Sequence, residues 1–285
     1  MAISIYKIEK EKQEKIVADY QNGKSMRQLE KDYGVNRSTI SKFLEEKEIK
    51  TQKGNHFRKY YHNIDYFENI DDEHKAYWLG FLFADGYIVD NSSHYGEDRF
   101  GLSLAEEDKQ ILELLKKDLQ ATNPIRTYER NGIKGQPLSR IELTSQKTVN
   151  DLIDKGCVKK KSLILSPPKN IPEELIPHFI RGFFDGDGSI TKTKNIRYAS
   201  TGNFCYGVNF TTTKEMADWL QNYFDIGTVR KEPRNEKTYY FTFGGHRQVL
   251  SFFHQLYDNA TIYLERKYLR FEELSKYIER YGINV

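Results

Sequence analysis

The sequence predicts an α+β fold in which two αββαββα repeats make one pseudo-symmetric, concave domain, preceded by a small all-α domain. Three observations predict it. The stretch "WLGFLFADG", Trp78 to Gly86, returns as "IRGFFDGDG", Ile180 to Gly188. The patterns after each copy follow in the same order at a near-constant offset, with Asp85 and Asp187 102 positions apart and Leu143 and Phe243 100 apart. Residues 12–49 carry only short helical patterns broken by glycine.

Composition bounds the rest. A chain of 285 residues with 38% hydrophobic content is long enough for two domains with buried cores. Residues 1–63 hold 14 Lys/Arg against 9 Asp/Glu, whereas the remainder holds 30 against 32, so the basic excess lies at the N-terminus. Cys157 and Cys205 have no paired Cys/His spacing, which argues against a disulfide framework and a structural zinc site. The start "MAISIYKIEKEKQEK" has no apolar run of signal length, and "AYWLGFLFA" is too short to cross a bilayer. The expectation is an intracellular protein with no membrane partner.

In the first domain, residues 1–49, Ile16, Val17 and Tyr20 mark one face of a first helix that ends near Gly23. Ser25 with Gln28 reads as a capping box for a second helix that stops at Gly34. Asn36 is the expected cap of a third, with Ile40, Phe43 and Leu44 turned inward and Arg37, Ser38, Thr39 and Lys42 outward. A glycine turn followed by a helix with a basic, hydroxyl-rich N-terminal face suits reading of base edges and phosphates. The segment resembles the resolvase and transposase type of helix-turn-helix, and departs from it at Glu30, where that type carries a small residue. The alternative is a plain helical hairpin.

Residues 50–63, "KTQKGNHFRKYYHN", carry Lys50, Lys53, Arg58 and Lys59 and no acid, as expected of a basic linker able to follow a phosphate backbone or of an ordinary solvated one. The third region, 64–285, is the repeat, with halves at about 64–170 and 171–285. After each motif helix come an alternating strand, "RFGLSLA" or "YGVNFTT", and an amphipathic helix, "EDKQILELLKKDL" or "KEMADWLQNYF". Strand candidates "IRTYER" and "SRIELTS" are answered by "GTVRKEP" and "YYFTFGG", and a further helix then leads to Lys161 in one half and Lys267 in the other. Sheets with helices on one face leave the other free. Arg126, Arg130, Lys134 and Arg140 in the first half, and Arg197, Arg230, Lys231, Arg234 and Lys237 in the second, fall on or beside those strands. Basic residues at matching places on both halves point to a saddle that binds nucleic acid.

Gly80 and Ala84, like Gly182 and Gly186, are four apart, so each motif helix has a small-residue face along which backbones can touch. Such a seam brings Asp85 and Asp187 together at two helix C-termini, where like charge and the helix dipole are both unfavourable. Divalent cations would compensate, and paired carboxylates under a basic surface are the parts of a two-metal phosphodiesterase. A calcium loop counted from Asp185 fails, since it needs Gly and Glu where the chain has Ile190 and Ile196.

The two motifs, their spacing and the order of elements between them resemble the LAGLIDADG homing endonucleases over about Tyr66 to Leu274. The resemblance implies a monomeric, site-specific double-strand DNA endonuclease that binds a long recognition site. It implies that Asp85 and Asp187 hold two or three Mg²⁺ ions, with Lys161 and Lys267 supporting the attacking water and the charged intermediate. Phe83 stands where the second copy has Asp185, so the resemblance makes Asp185 a bystander. The same fold also serves non-cutting DNA-binding regulators and RNA-splicing maturases. Two intact acids argue against the first, and a helix-turn-helix against the second, because A-form RNA hides its major groove.

Overall fold

The computed structural model describes residues 9–21, 24–49, 60–90, 96–129, 137–158, 164–194 and 204–283. The chain divides into two compact units, Met1–Lys59 and Tyr60–Val285.

In the first unit α1 (Lys10–Gln21), α2 (Met26–Tyr33) and α3 (Arg37–Glu46) enclose Ile16, Leu29, Val35, Ile40, Phe43 and Leu44. The local signals read from sequence are the ones that delimit the helices. Ser25 and Gln28 form the reciprocal capping box, and Gly34 ends α2 at φ 68°, a conformation in which glycine carries no Cβ penalty. Asn36 accepts from the Ser38 N–H at 2.9 Å and starts α3, a cap that contributes about 1 kcal/mol. Glu30 does not obstruct the packing of α2 and α3: it reaches Arg37 Nε at 2.9 Å, at the start of α3. The expected stop at Gly23 lies outside the described residues.

The second unit carries the repeat. Its first half runs α4 (Glu73–Ala84), β1 (Gly86–Val89), β2 (Arg99–Ala105), α5 (Lys109–Asp118), β3 (Arg126–Tyr128), β4 (Leu138–Thr144) and α6 (Gln146–Asp154). The second runs α7 (Ile176–Asp187), β5 (Gly188–Lys194), β6 (Phe204–Thr212), α8 (Lys214–Phe224), β7 (Thr228–Lys231), β8 (Tyr239–Gly244) and α9 (His246–Tyr257). The sheets have corresponding orders, β1-β2-β4-β3 and β5-β6-β8-β7, and every pair is antiparallel. A last helix, α10 (Glu265–Tyr281), has no counterpart among the described residues of the first half. Among the described residues no helix is long and apolar enough to cross a membrane.

Period-two alternation decides which side of each sheet is covered. Phe100, Leu102 and Leu104 on β2 and Tyr206, Val208 and Phe210 on β6 turn into the core, leaving the intervening residues on a face without helices. The motif helices lie at the centre. Helix α4 is buried along Ala76–Ala84, as its all-round apolar sequence requires. It meets α7 backbone to backbone: a Cβ on Gly80 would fall 1.9 Å from the Phe179 carbonyl oxygen, and one on Gly182 1.9 Å from that of Tyr77.

The seam also encloses a charge. Arg181 is fully buried and places Nη2 2.6 Å from Glu73 Oε1, while its Nε and Nη1 donate to the carbonyls of Ile262 and Leu256 at 2.9 and 2.6 Å. Glu73 is held in turn by the Thr261 N–H at 2.8 Å and hydroxyl at 2.9 Å. The network ties α4 of the first half to the α9–α10 connection of the second. Arg181→Met would strip buried carbonyls of their donors and is expected to cost about 3 kcal/mol. Urea unfolding measures this, and a loss below about 1 kcal/mol would show that the network is dispensable.

Candidate active site at the helix seam

Asp187 is the last residue of α7 and is exposed; Asp85 is the first beyond α4 and is half-buried. The close approach that the glycines permit continues to this end of the seam. A Cβ on Gly186 would stand 2.1 Å from the Ala84 Cβ and 3.5 Å from Asp85 Oδ2, so the Asp85 carboxylate lies against the last turn of α7, beside the residue that precedes Asp187. Both acids act on the same ammonium group, that of Lys267, whose charged form they favour. The structure therefore brings together Asp85, Asp187 and Lys267; Lys161 lies outside the described residues.

Among the described residues no group of three or more His, Cys, Asp or Glu side chains is placed to hold a metal. The donor set at the seam is two carboxylates, without imidazole or thiolate. Such hard oxygen donors suit Mg²⁺, which keeps several waters and takes further oxygens from a phosphate, and do not suit zinc. A cation there would also offset the like charges and the partial negative charge at the two helix ends.

Lys267 is placed otherwise than a group that meets water. Its side chain is buried, and Nζ donates to the carbonyls of Phe184 and Gly188, the latter at 2.6 Å, with the Phe184 ring 4.8 Å away. Burial pulls its pKa down to about 8, opposed chiefly by Asp185. The ammonium grips the backbone on both sides of Asp187 and caps the end of α7, where cations are favourable.

Asp185 is not the bystander that its Phe83 counterpart suggests. It is buried, and its carboxylate accepts from the Tyr77 hydroxyl at 2.9 Å, the Tyr257 hydroxyl at 2.6 Å and the Leu264 N–H at 2.7 Å. Burial pushes its carboxyl pKa up while Lys267 and the three donors pull it down. The phenols of Tyr77 and Tyr257, buried beside it, are pushed well above the usual range. Sequence reading missed this cluster. The available signal was a carboxylate in an otherwise apolar helix face, which demands partners.

The uncovered sheet faces differ between the halves. On the first, Arg126 and Arg140 are cross-strand partners, and the Arg140 guanidinium lies 5.2 Å from the Tyr87 ring and 5.9 Å from the Tyr128 ring. Beside them Glu142 pairs with Arg99 at 2.8 Å and accepts from the Tyr87 hydroxyl at 3.2 Å. On the second face Arg230, on the edge strand β7, is the cross-strand partner of Tyr240, with Thr242, Thr211, Asn209 and Thr191 farther across the same face, so the described residues of this face carry less charge. Alternation turns Lys231 to the opposite, helix-covered side, while Arg234 and Lys237 are exposed in the β7–β8 connection. Among the described residues the expected basic positions therefore fall differently on the two halves. Arg130, Lys134 and Arg197 lie outside the described residues, as do Lys50, Lys53, Arg58 and Lys59.

In the N-terminal unit Arg37, Ser38 and Lys42 are exposed on α3 and Thr39 is half-buried. Ser38 donates its hydroxyl to Asn36 at 2.8 Å, and Arg37 is engaged by Glu30, so Lys42 carries the more open charge of the two.

Residues 180–278, from within α7 to within α10, match the LAGLIDADG endonuclease family. No curated protein sequence matches the chain. Among solved structures it is similar to I-SmaMI bound to an uncleaved DNA target in the presence of calcium ions, at 15% identity and a TM-score of 0.49, over 73% of this chain and 92% of that one. It is similar to I-AabMI bound to uncleaved DNA at 16% identity and a TM-score of 0.49, over 75% of this chain and 91% of that one. A further likeness is to I-LtrWI bound to target DNA, at 15% identity and a TM-score of 0.49, over 76% and 92%.

Proposed function

We propose that the chain, whose residues 180–278 match the LAGLIDADG endonuclease family, is a monomeric, site-specific DNA endonuclease that makes a double-strand break with Mg²⁺. The observation that carries this reading is the second acid. The half outside the family match repeats the same elements and sheet order, and it delivers Asp85 to the end of the seam that Asp187 also occupies. Two such carboxylates in one chain remove the need for a second subunit.

In this reading Asp85 and Asp187 hold the metal, each from its own half. Bound Mg²⁺ would supply an activated water and charge neutralisation at the leaving oxygen. Lys267 keeps the end of α7 in place through the Phe184 and Gly188 carbonyls, so the direction of the Asp187 carboxylate is fixed before DNA arrives. The two open sheet faces read the duplex on either side of the cut, and the N-terminal unit, as a helix-turn-helix, adds contacts through Arg37, Ser38, Thr39 and Lys42. Lys161 is proposed as the first-half counterpart of Lys267, and Lys50, Lys53, Arg58 and Lys59 as phosphate contacts.

Arg140 is proposed to read a guanine, because the flanking Tyr87 and Tyr128 rings hold its guanidinium in advance. Arg140→Ala is expected to cost about 1–3 kcal/mol of binding and to relax preference at one base pair, whereas Arg234→Ala weakens all sequences alike and lowers the salt slope by about 1. Binding to duplex pools in calcium at several salt concentrations measures both; a uniform loss with Arg140→Ala would refute the base-reading role. The function itself is tested by incubating the full chain and Mg²⁺ with plasmids bearing random inserts. Linear products that share one sequence are expected. Binding of intron RNA in preference to duplex DNA, with no linear product, would favour the maturase alternative.

A further inference from the structure

The end of α7 and the start of α10 cap one another. Asp185, on α7, accepts from the backbone N–H of Leu264, the residue immediately before α10, so a buried carboxylate occupies the electropositive start of that helix. Lys267, in the first turn of α10, returns an ammonium to the carbonyls of Phe184 and Gly188 at the electronegative end of α7. Two further bonds to Asp185, from Tyr77 on α4 and Tyr257 on α9, fix the carboxylate against both halves. Asp187 lies inside this loop of bonds, between the Phe184 and Gly188 carbonyls that Lys267 holds.

The first half lacks the carboxylate side of the device. Phe83 occupies the place of Asp185, and its ring packs edge-on against Phe179 at 5.0 Å. A phenylalanine accepts no N–H, so residue 83 itself contributes only packing at the end of α4. Because the domain is pseudo-twofold and the strands of duplex DNA are related by a twofold, the two scissile phosphates, one on each strand, would be related by the same axis that relates Asp85 to Asp187.

We propose that Asp185 is a positioning residue for the Asp187 side of the active site alone, so that one of the two strand cuts depends on it and the other does not. This rests on the endonuclease reading above. The carboxylate need not touch metal or DNA; it fixes α10, which fixes Lys267, which fixes the backbone around Asp187. A displacement of about 1 Å at a reacting group is enough to cost about 10²-fold in rate.

The test uses the full chain with a cleaved duplex labelled on either strand, under single turnover in Mg²⁺, and measures duplex binding in calcium. Asp185→Asn is expected to slow one strand about 10²-fold more than the other, to accumulate a nicked intermediate, and to leave the binding constant unchanged. Equal slowing of both strands, or none, would overturn the proposal. Should Asp185→Asn fail to fold, Tyr257→Phe removes one of the same bonds without touching a charge. It must show the same strand bias at smaller size, and its absence is equally fatal. If the wild-type chain cuts no DNA, the endonuclease reading fails and the capping is judged separately by hydrogen exchange on the metal-free protein. Faster exchange of the Leu264 and Gly188 amides in Asp185→Asn, with the Asp85 amide unchanged, is then required, and unchanged exchange at all three refutes it.

Discussion

Gly182→Ala, like Gly80→Ala on the other side of the seam, is expected to be among the most damaging single methyls in the described residues. The new Cβ would lie 1.9 Å from the Tyr77 carbonyl oxygen, 2.8 Å from its carbon and 2.9 Å from the Phe81 nitrogen, all of them backbone atoms of α4. No rotamer relieves such a clash; the helices must separate. Their separation undoes the contacts on either side, since Phe83 packs on Phe179 across the seam and Tyr77 reaches Asp185. Overpacking of a close-packed interior costs about 1–3 kcal/mol where side chains can adjust, and a backbone collision belongs at or above the upper end. The expected result is a loss of about 3 kcal/mol or more and a melting temperature lowered by about 10 °C. Gly34→Ala in the N-terminal unit is the control. Its Cβ would meet nothing within 4 Å, so only the left-handed φ of 68° opposes it, at about 1 kcal/mol. Thermal unfolding of the two variants compares them directly, and a Gly182→Ala protein as stable as the Gly34→Ala one would disprove the seam as drawn.

Asp187→Asn is expected to do the reverse, removing the chemistry and sparing the fold. Its side chain is exposed at the last position of α7, whereas the buried partners that hold this end are Asp185 and Lys267. An isosteric amide there disturbs no packing, so the melting temperature should stay within about 2 °C of wild type. The loss lies elsewhere. An amide supplies a neutral oxygen where Mg²⁺ needs a charged one, and under the proposed mechanism double-strand cleavage should fall by about 10³-fold or more while duplex binding in calcium is retained. A variant that loses binding and folding together would mean that Asp187 is structural.

Much of this was legible from the chain alone because it rests on local or repeated signals. The helix caps at Ser25, Gly34 and Asn36 are set by neighbours within four residues. The duplicated motif specified the sheets, since a second copy of the same pattern must fold the same way, and the glycine spacing specified the seam. What escaped is what depends on distant partners. Arg181 finds Glu73 108 positions away, and Asp185 finds Leu264 79 away. Neither pairing has a sequence spacing that announces it. Phe83 misled for the same reason: comparison of the two copies treats the halves as equivalent, but α10 exists beside α7 and gives Asp185 a helix start to bind. Lys231 shows the limit of reading charge from strands, because one position along β7 is enough to move a side chain from the open face to the helix side.

The measurement closest to the central claim maps the DNA ends produced in Mg²⁺ by the wild-type chain, by Asp85→Asn and by Asp187→Asn from one plasmid pool. A double-strand break at one site is expected for the wild type, none when the metal is chelated, and none for either variant. Undiminished cutting by either variant would contradict it.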